Sequence, residues 1–393
     1  MYKVATIIGA RPQFIKAAPV SKEFLKSPFF EEILIHTGQH YDQNMSQVFF
    51  DELGIPRENY NLKVGSSSQT IMTANMMIKM EEIFDQEQPD CILLYGDTNS
   101  TLAAALVGAK KHIPVAHVEA GIRSKRKNRP EEINRIVTDH VSTILFPPTF
   151  EGEQSLKEEG IREVANEQIS NNNPIIQNVG DVMYDNFLQL SGSIDQRLSI
   201  LEEYGVQKGN YILLTIHRPL NTDNLDKLLD ILSTVEKLAN DYQIPFLFPI
   251  HPRTRKCLDD DYLKDLHERL IENKNIIIIN PVSFIEMMVL QKYCKMVFTD
   301  SGGVQKEAAF CKKPCVVLLE TTPWKELVRS GILEETGSDP SKIEDAFSNF
   351  LNGSDDFEIP KIFGNGDASQ KIVTQIKEFL DQFQSYKNDI KFQ

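Results

Sequence analysis

The sequence has no apolar run long enough to cross a membrane, and it begins directly with a strand-like pattern. We therefore expect neither a transmembrane helix nor a signal peptide. It also lacks an excess of positive charge, because its 393 residues carry a formal net charge of −14, which opposes non-specific nucleic-acid binding. Cysteine is scarce, with five residues, four of them in or beside apolar segments. This usage favours free thiols in a reducing cytoplasm.

Sequence motifs of several common enzyme classes are absent as well. No Gly-x-Gly-x-x-Gly follows a predicted strand, no Walker-type loop occurs, and no Gly-x-Ser-x-Gly elbow is present. The histidines, cysteines and acids show no metal-ligand spacing, since even His36 and His40 lie on either side of a glycine turn. We therefore expect no dinucleotide cofactor, no serine nucleophile and no metal centre.

Short apolar runs alternate with amphipathic segments along the chain, which predicts parallel strands joined by helices. A polar, broken stretch at residues 151–178 separates two such patterns. We predict two Rossmann-type α/β domains at residues 1–176 and 177–368, followed by a C-terminal helix and frayed tail at 369–393. The predicted strands are residues 2–8, 32–36, 91–95, 114–118, 211–216, 245–250, 276–279, 296–299 and 315–319.

Polar side chains follow many of these strands at the edge where ligands bind in open α/β sheets. The acids Asp97, Glu119, Glu131 and Glu132 and the base His217 are candidates for proton transfer, which requires partly desolvated groups. Basic side chains that could balance an anionic substrate are Arg11, Lys16, Arg123 and Arg135.

Each of these acids also has a structural interpretation. Asp97 precedes Thr98 and could cap a helix, while Glu131 and Glu132 could be first-turn carboxylates that the helix dipole favours. Arg135 lies four residues after Glu131 and could simply pair with it. The sequence supports the functional interpretation because so many such groups lie at strand ends.

The most informative segment is the strand end and helix start at residues 298–309. The apolar strand ends at Asp300, and a helical pattern begins at once with Ser301-Gly302-Gly303. A helix that opens in this way presents backbone N–H groups and a positive dipole end to an anion. Glu307, one turn later, could accept hydrogen bonds from a ribose diol. The segment therefore indicates a nucleoside diphosphate site, with an ordinary strand-to-helix turn as the alternative.

Taken together, these motifs resemble those of the non-hydrolysing UDP-N-acetylglucosamine 2-epimerase family. The resemblance implies a GT-B-like fold of two Rossmann-type domains facing across a cleft, with UDP held mainly by the second. It implies a homodimer. It also implies an enzyme that inverts C2 of a UDP-linked 2-acetamido sugar through a 2-acetamidoglucal and so supplies precursors for surface polysaccharide. This reaction requires no cofactor. The matching stretches are residues 9–16, 37–40, 96–98, 117–123, 130–135, 180–185, 215–218 and 300–307.

The family motifs also assign roles to individual positions of this sequence. The resemblance implies that the catalytic residues are Asp97, Glu119, Glu131 and His217. The substrate-binding residues that we expect with them are Arg11, Lys16, Gln39, His40, Arg123, Arg135, Phe284, Ser301, Gly302, Gly303 and Glu307.

The sequence departs from the commonest family pattern at several places. Gln13-Phe14 stands where Glu-Ala is more frequent, residues 321–326 lack the usual arginine, and the loop before Pro130 is short and basic. These features are closer to the branch that epimerises UDP-2,3-diacetamido-2,3-dideoxyglucuronic acid, whose carboxylate could bind Lys125, Arg126 or Lys127, although a solvated loop is equally consistent. The preferred sugar stays open here. A hydrolysing 2-epimerase, a GT-B glycosyltransferase and a silent nucleotide-sugar sensor are further alternatives.

Overall fold

A computed structural model describes residues 1–38, 52–65, 67–124, 127, 129–165, 167–353, 357 and 361–391, the last eight of these by backbone alone. These residues form two compact units. The first comprises Met1–Leu188 and Lys361–Gln393, and the second comprises Gln189–Pro360. None of the described helices is both long and apolar enough to cross a membrane.

The first unit contains a parallel sheet of seven strands among the described residues, in the order β3-β2-β1-β4-β5-β6-β7. In chain order the strands are β1 Tyr2–Ile8, β2 Phe30–His36, β3 Tyr60–Asn61, β4 Cys91–Tyr95, β5 Val115–Val118, β6 Ile144–Phe146 and β7 Ile175–Ile176. The helices are α1 Arg11–Lys26, α2 Gln69–Glu87, α3 Asn99–Lys110, α4 Pro130–Val141, α5 Phe150–Glu158 and α6 Val182–Asp195, which continues into the second unit.

Burial explains why these segments form a parallel sheet. The central strands are inaccessible along their whole length and, apart from His117 on β5, almost wholly apolar, as is typical of parallel strands covered by helices on both faces. The methionine stripe of α2, with Met72, Met76 and Met80, packs into the core beside the sheet. Methionines at helical spacing thus form part of the core here.

The second unit contains a parallel sheet of six strands in the described chain, in the order β10-β9-β8-β11-β12-β13. Its strands are β8 Ile212–Thr215, β9 Phe246–Pro249, β10 Ile276–Ile279, β11 Met296–Thr299, β12 Cys315–Val317 and β13 Leu333–Glu335. Its helices are α7 Ser199–Glu203, α8 Pro219–Thr222, α9 Leu225–Tyr242, α10 Pro252–Leu258, α11 Lys264–Glu272, α12 Phe284–Tyr293, α13 Gly302–Phe310, α14 Lys325–Arg329 and α15 Pro340–Asn352, with a 3-10 turn at Asp261–Leu263.

The end of the chain returns to the first unit. A 3-10 turn, Lys361–Phe363, leads into α16, Ala368–Lys391. The buried carboxylate of Asp185 accepts hydrogen bonds from the backbone N–H groups of Ala368 (3.2 Å) and Ser369 (2.7 Å). An N-terminal carboxylate of this kind stabilises a helix start. The motif at residues 180–185 thus anchors the last helix.

The limits of the two observed units differ from the predicted domain limits in two respects. The structure assigns the chain up to Leu188 to the first unit, whereas the sequence placed a boundary after residue 176. It also joins the residues from Lys361 onward to the first unit, whereas the sequence placed residues up to 368 in the second domain. The last helix continues to Lys391, through most of the segment expected to fray.

The carboxylate of Glu32 in the first unit is largely covered and is held by neutral hydroxyl groups. Glu32 on β2 accepts hydrogen bonds at Oε1 from the hydroxyls of Thr6 (2.6 Å) and Ser21 (2.9 Å). Its Oε2 is inaccessible and has no hydrogen-bond partner in the described part of the chain. Burial raises the pKa of Glu32 to about 7, although the two hydroxyls oppose this shift.

Candidate active site

The polar edge of the first sheet begins with Asp97, directly after β4. Its carboxylate pairs with the guanidinium of Arg135 on α4. Its backbone carbonyl accepts a hydrogen bond of 2.9 Å from the Asn134 side chain. Thr98, and not Asp97, caps α3, because the Thr98 hydroxyl accepts from the N–H of Thr101 (3.4 Å). The carboxylate of Asp97 is therefore directed at α4 and does not cap a helix.

Glu119 follows β5 and forms a buried ion pair with Lys16 of α1, at 2.8 Å between Oε2 and Nζ. The two side chains are only 9% and 7% exposed. Glu119 also has a positive φ of 72°, a conformation that costs a non-glycine residue free energy and often occurs at functional sites. Gly96 lies against this pair, since a Cβ there would be 3.0 Å from the Lys16 amine.

Arg135 is surrounded by acids from two strand-end loops and from the first turn of its own helix, α4. Burial would lower its pKa, but the charges of Asp97, Glu119, Glu132 and Glu131, in decreasing order, raise it above the usual value. Its Nε is inaccessible and has no hydrogen-bond partner within the described residues. The guanidinium therefore stays charged and holds several carboxylates near one point of the sheet edge.

The adjacent acids Glu131 and Glu132 have different surroundings. Glu132 is buried, and its two oxygens accept from the backbone N–H of Ser124 (3.0 and 2.9 Å), while the Ser124 hydroxyl donates to one of them (3.0 Å). Glu131 is partly exposed in the first turn of α4. Glu132 thus has a structural role, and Glu131 is the acid of this pair that a ligand can reach.

The start of α1 supports the same edge of the sheet. Arg11 is its first residue and is partly exposed. Gln13 is buried, accepts a hydrogen bond from the N–H of Ala10 (3.1 Å), and donates to the carbonyl of Tyr95 (3.0 Å) and the hydroxyl of Thr101 (3.1 Å). The amide at position 13 therefore connects α1 to the end of β4.

Arg123 differs from its predicted substrate-binding role. Its Nε and Nη2 donate to the two oxygens of Glu159 (2.8 and 2.7 Å), and its Nη1 lies 2.8 Å from Asp139 and 3.0 Å from the carbonyl of Ile122. The side chain is 5% exposed. These contacts occupy most of its N–H groups, so the structure gives Arg123 a structural role.

His217 and Asp300 connect two neighbouring strand ends in the second sheet. The inaccessible carboxylate of Asp300, after β11, accepts from the backbone N–H groups of His217 (3.0 Å) and Arg218 (2.9 Å), after β8. It also accepts from the side chain of Asn221 (3.1 Å). Burial raises the pKa of Asp300 more than these donors lower it. The imidazole of His217 stays about one-third exposed, and its Nδ1 lies 3.6 Å from Asp300.

The glycine-opened helix occurs where the sequence predicted it. α13 begins at Gly302 after Ser301, and Ser301, Gly302 and Gly303 are all partly exposed. The indole N–H of Trp324 donates to the carbonyl of Gly302 (2.9 Å), and the ammonium of Lys306 lies 4.4 Å from the centre of the Trp324 ring. The first turn of α13 therefore presents backbone N–H groups to an anion from a supported position.

Two further predicted contact residues are mostly covered by the fold. Glu307 is 7% exposed, and its Oε2 accepts a hydrogen bond of 2.8 Å from the buried Gln291 side chain. Phe284, the first residue of α12, is 3% exposed. A further group of predicted residues lies outside the described residues, namely Gln39, His40, Lys125 and Arg126.

The structure thus collects the predicted residues at two sheet edges. Asp97, Glu119, Glu131, Lys16 and Arg135 lie together in the first unit. His217 and the start of α13 follow adjacent strands of the second unit. Sequence reasoning did not assign roles to several supporting residues, whose partners are distant in sequence, namely His117, Asn134, Asp139, Gln291 and Trp324.

Acids grouped around a guanidinium in one parallel α/β unit, and an anion-binding helix start in another, are features of an enzyme that acts on nucleotide sugars. Comparison with known proteins agrees with this class. The family model for UDP-N-acetylglucosamine 2-epimerase matches residues 22–377. The chain belongs to the UDP-N-acetylglucosamine 2-epimerase family, as its motifs predicted.

The relatives resemble this chain over nearly its whole length. A UDP-N-acetylglucosamine 2-epimerase homolog of Methanococcus maripaludis is 47% identical over 95% of this chain and 99% of its own. A UDP-2,3-diacetamido-2,3-dideoxy-D-glucuronate 2-epimerase of Pseudomonas aeruginosa is 41% identical over 94% and 98%. The crystal structure of Methanocaldococcus jannaschii UDP-GlcNAc 2-epimerase with UDP-GlcNAc and UDP has a TM-score of 0.86 at 38% identity, covering 96% and 99% of the two chains. The predicted GT-B-like class of two parallel-sheet α/β units is thereby confirmed.

Proposed function

We propose that this protein inverts C2 of a UDP-linked 2-acetamido sugar and interconverts UDP-N-acetylglucosamine and UDP-N-acetylmannosamine. The observation that carries the proposal is the grouping of Asp97, Glu119 and Glu131 around Arg135. Proton abstraction from a weakly acidic carbon requires a carboxylate in a poorly solvated place, and this edge offers carboxylates from two strand-end loops and one helix start.

The proposed reaction needs no external oxidant or reductant. A carboxylate removes the C2 proton, the electron pair forms the C1=C2 double bond, and the C1–O bond to UDP breaks. The products of this step are a 2-acetamidoglucal and UDP. The oxygen of UDP then adds back to C1 while C2 accepts a proton on its opposite face. Asp97, Glu119 and Glu131 are the candidates for these two proton transfers.

We assign UDP binding to the second unit. The first turn of α13, at Ser301, Gly302 and Gly303, would bind the diphosphate through backbone N–H groups, which also stabilise its charge as it departs. His217 follows the neighbouring strand, so its partly exposed imidazole lies at the same sheet edge as that helix start. We retain it as a catalytic candidate. Glu307 is the proposed partner of the ribose hydroxyls. Arg11 and Lys16 are the proposed cations that balance the charge of the anionic substrate.

The second candidate is epimerisation of UDP-2,3-diacetamido-2,3-dideoxyglucuronate by the same steps. The observation that favours it is the 41% identity to the Pseudomonas aeruginosa protein with that name. The extra carboxylate of such a substrate would bind a basic group, and Lys127 is an exposed candidate. The two candidates differ in substrate and share one mechanism.

Turnover in D2O tests both candidates. The protein is incubated separately with each UDP-sugar, and NMR measures the deuterium at C2 of substrate and product. Label at C2 with UDP retained in the product supports the proposal, and the sugar that turns over faster identifies the substrate. Absence of label from both sugars, with the protein still binding UDP, would refute the proposed activity. Net release of UDP at the rate of turnover would identify a hydrolysing enzyme.

The variant Asp97→Asn, measured in the same D2O experiment, tests the role of Asp97. It removes the charge and keeps the shape, and UDP affinity measured by calorimetry should stay nearly unchanged because UDP binding is assigned to the second unit. Exchange at C2 should be lost. If the variant epimerised at the wild-type rate, Asp97 would have no part in the proton transfer.

We further propose a cytoplasmic homodimer that supplies precursors for surface polysaccharide. Five free thiols are consistent with a reducing compartment. Ile71 and Ile78, two turns apart on one face of α2, are 55% and 59% exposed and offer an apolar stripe for a second copy. Sedimentation of the wild-type chain and of an Ile71→Glu, Ile78→Glu variant tests this, since only the variant should be monomeric.

A further inference from the structure

A buried histidine connects helix α4 to the turn that precedes Asp97. His117 on β5 is completely inaccessible. Its Nδ1 lies 2.6 Å from an oxygen of Asp139, and its Nε2 lies 2.7 Å from the carbonyl oxygen of Gly96. Both distances are those of strong hydrogen bonds. The imidazole therefore joins α4 to the turn that follows β4.

The partners of this ring fix its orientation. The carbonyl of Gly96 can only accept a hydrogen bond, so Nε2 must carry hydrogen. Burial raises the pKa of Asp139, but His117, Arg123 and the N–H of Gly121 together hold it below the usual value. The second oxygen of Asp139 accepts from Gly121 (3.0 Å) and lies 2.8 Å from Arg123. The ring therefore links a firmly held carboxylate on α4 to the carbonyl of Gly96.

The hydrogen bond from Nε2 acts on the backbone next to Asp97. Gly96 has a positive φ of 66°, and its N–H donates to the carbonyl of Val118 (3.0 Å). Gly96 is thus held at both its N–H and its carbonyl, and Asp97 follows immediately. Glu119, two residues after His117 and directly after the end of β5, pairs with Lys16 against Gly96. One ring thereby sets the positions of the carbonyl before Asp97 and of the strand that precedes Glu119.

We propose that His117 is a positioning residue, which is bound to Asp139 through Nδ1, holds the Gly96 carbonyl through Nε2 and so aligns Asp97 with Glu119. This inference rests on the proposed epimerase function. It assigns His117 no contact with the substrate. A histidine that merely filled the core would not need a hydrogen-bond partner at each ring nitrogen.

Paired variants separate alignment from packing. His117→Leu fills the space without a donor, and a misplacement of Asp97 should lower kcat by roughly 10–100-fold. His117→Gln can still donate to the Gly96 carbonyl and should recover part of that loss. KM and UDP affinity should change little in both, because the variants leave the proposed diphosphate contacts at Ser301, Gly302 and Gly303 of the second unit unaltered. His140→Gln, on an exposed histidine of α4, is the control and should keep wild-type kcat.

Equal kcat losses in the Leu and Gln variants, with UDP still bound, would overturn the alignment role, as would a wild-type kcat in His117→Leu. If His117→Leu does not fold, 15N NMR of the histidine-labelled wild-type protein tests the inference directly. The His117 signals are assigned from their loss in His117→Gln, and Nε2 should carry hydrogen, as its contact with the Gly96 carbonyl requires. A bare Nε2 would overturn the alignment role. This result does not depend on turnover, so failure of the proposed function is recognised separately by absent C2 exchange.

Discussion

Replacing Glu32 by glutamine should stabilise the first unit at high pH and leave it nearly unchanged at low pH. In the folded protein burial raises the pKa of Glu32 from 4.5 to about 7. The folded state therefore binds this proton more tightly than the unfolded state does. The sign follows from linkage: the contribution of Glu32 to stability is full below about pH 4.5 and is lost as the pH rises through about 7.

The magnitude follows from the size of the shift. One pKa unit corresponds to about 1.4 kcal/mol, so a shift from 4.5 to about 7 amounts to up to about 3 kcal/mol of lost stability at about pH 8. In Glu32→Gln the amide oxygen can take the place of Oε1 and keep the hydrogen bonds from Thr6 and Ser21. The amide nitrogen then occupies the inaccessible position of Oε2 without a charge.

Denaturant unfolding of the full chain at about pH 5 and about pH 8 measures this difference. The advantage of Glu32→Gln over wild type should grow between the two values by up to about 3 kcal/mol. Glu31→Gln is the matched control, because Glu31 is the exposed neighbour whose side chain points to the other face of β2. The same pH dependence in both variants, or none in either, would refute the assignment of Glu32 as a buried, proton-binding carboxyl.

Three other changes follow from particular contacts. Gln13→Glu removes the donor to the carbonyl of Tyr95 and should cost about 1–3 kcal/mol of unfolding free energy, seen as a lower denaturation midpoint. Asp300→Ala removes the acceptor of the His217 N–H and should lower kcat by roughly 10-fold or more, whereas an unchanged kcat would separate His217 from catalysis. UDP should alter the fluorescence of Trp324, the single tryptophan of the chain, because its indole binds the first turn of α13, and Trp324→Phe should abolish that signal.

Much of the fold could be predicted from the sequence because buried parallel strands are almost wholly apolar. All nine predicted strands occur, with ends shifted by no more than a few residues. The strands that were missed are short and lie at or near the sheet edges, namely β3, β6, β7 and β13. Strands of two or three residues have no usable periodicity, and β7 lies inside the polar stretch that was interpreted as a linker.

The domain limits were harder because they depend on contacts between distant segments. Composition shows where the alternation of apolar runs and amphipathic segments is interrupted, and residues 151–178 do interrupt it. The boundary after residue 176 was placed on that ground. The carboxylate of Asp185, however, binds the N-terminus of a helix that begins at Ala368. Nothing near either residue in the sequence indicates that they meet, so the return of the chain to the first unit could not be predicted.

The candidate site could also be predicted only in part. The type and position of a residue indicated that it could belong to the site, but its contacts with distant residues determine its role. Strand ends correctly indicated where acids and bases collect, but they could not distinguish Arg123 from Arg135. Two carboxylates and a carbonyl occupy Arg123. Arg135 lies among carboxylates from two strand-end loops and from the first turn of its own helix. Its partners include the candidate acid Asp97, whereas the partners of Arg123 are Asp139 and Glu159, so the identity of the partners favours Arg135 as the arginine of the site. The variant Arg135→Gln should therefore reduce C2 exchange far more than it reduces UDP affinity, and equal losses of both would mean that this pairing was wrongly interpreted.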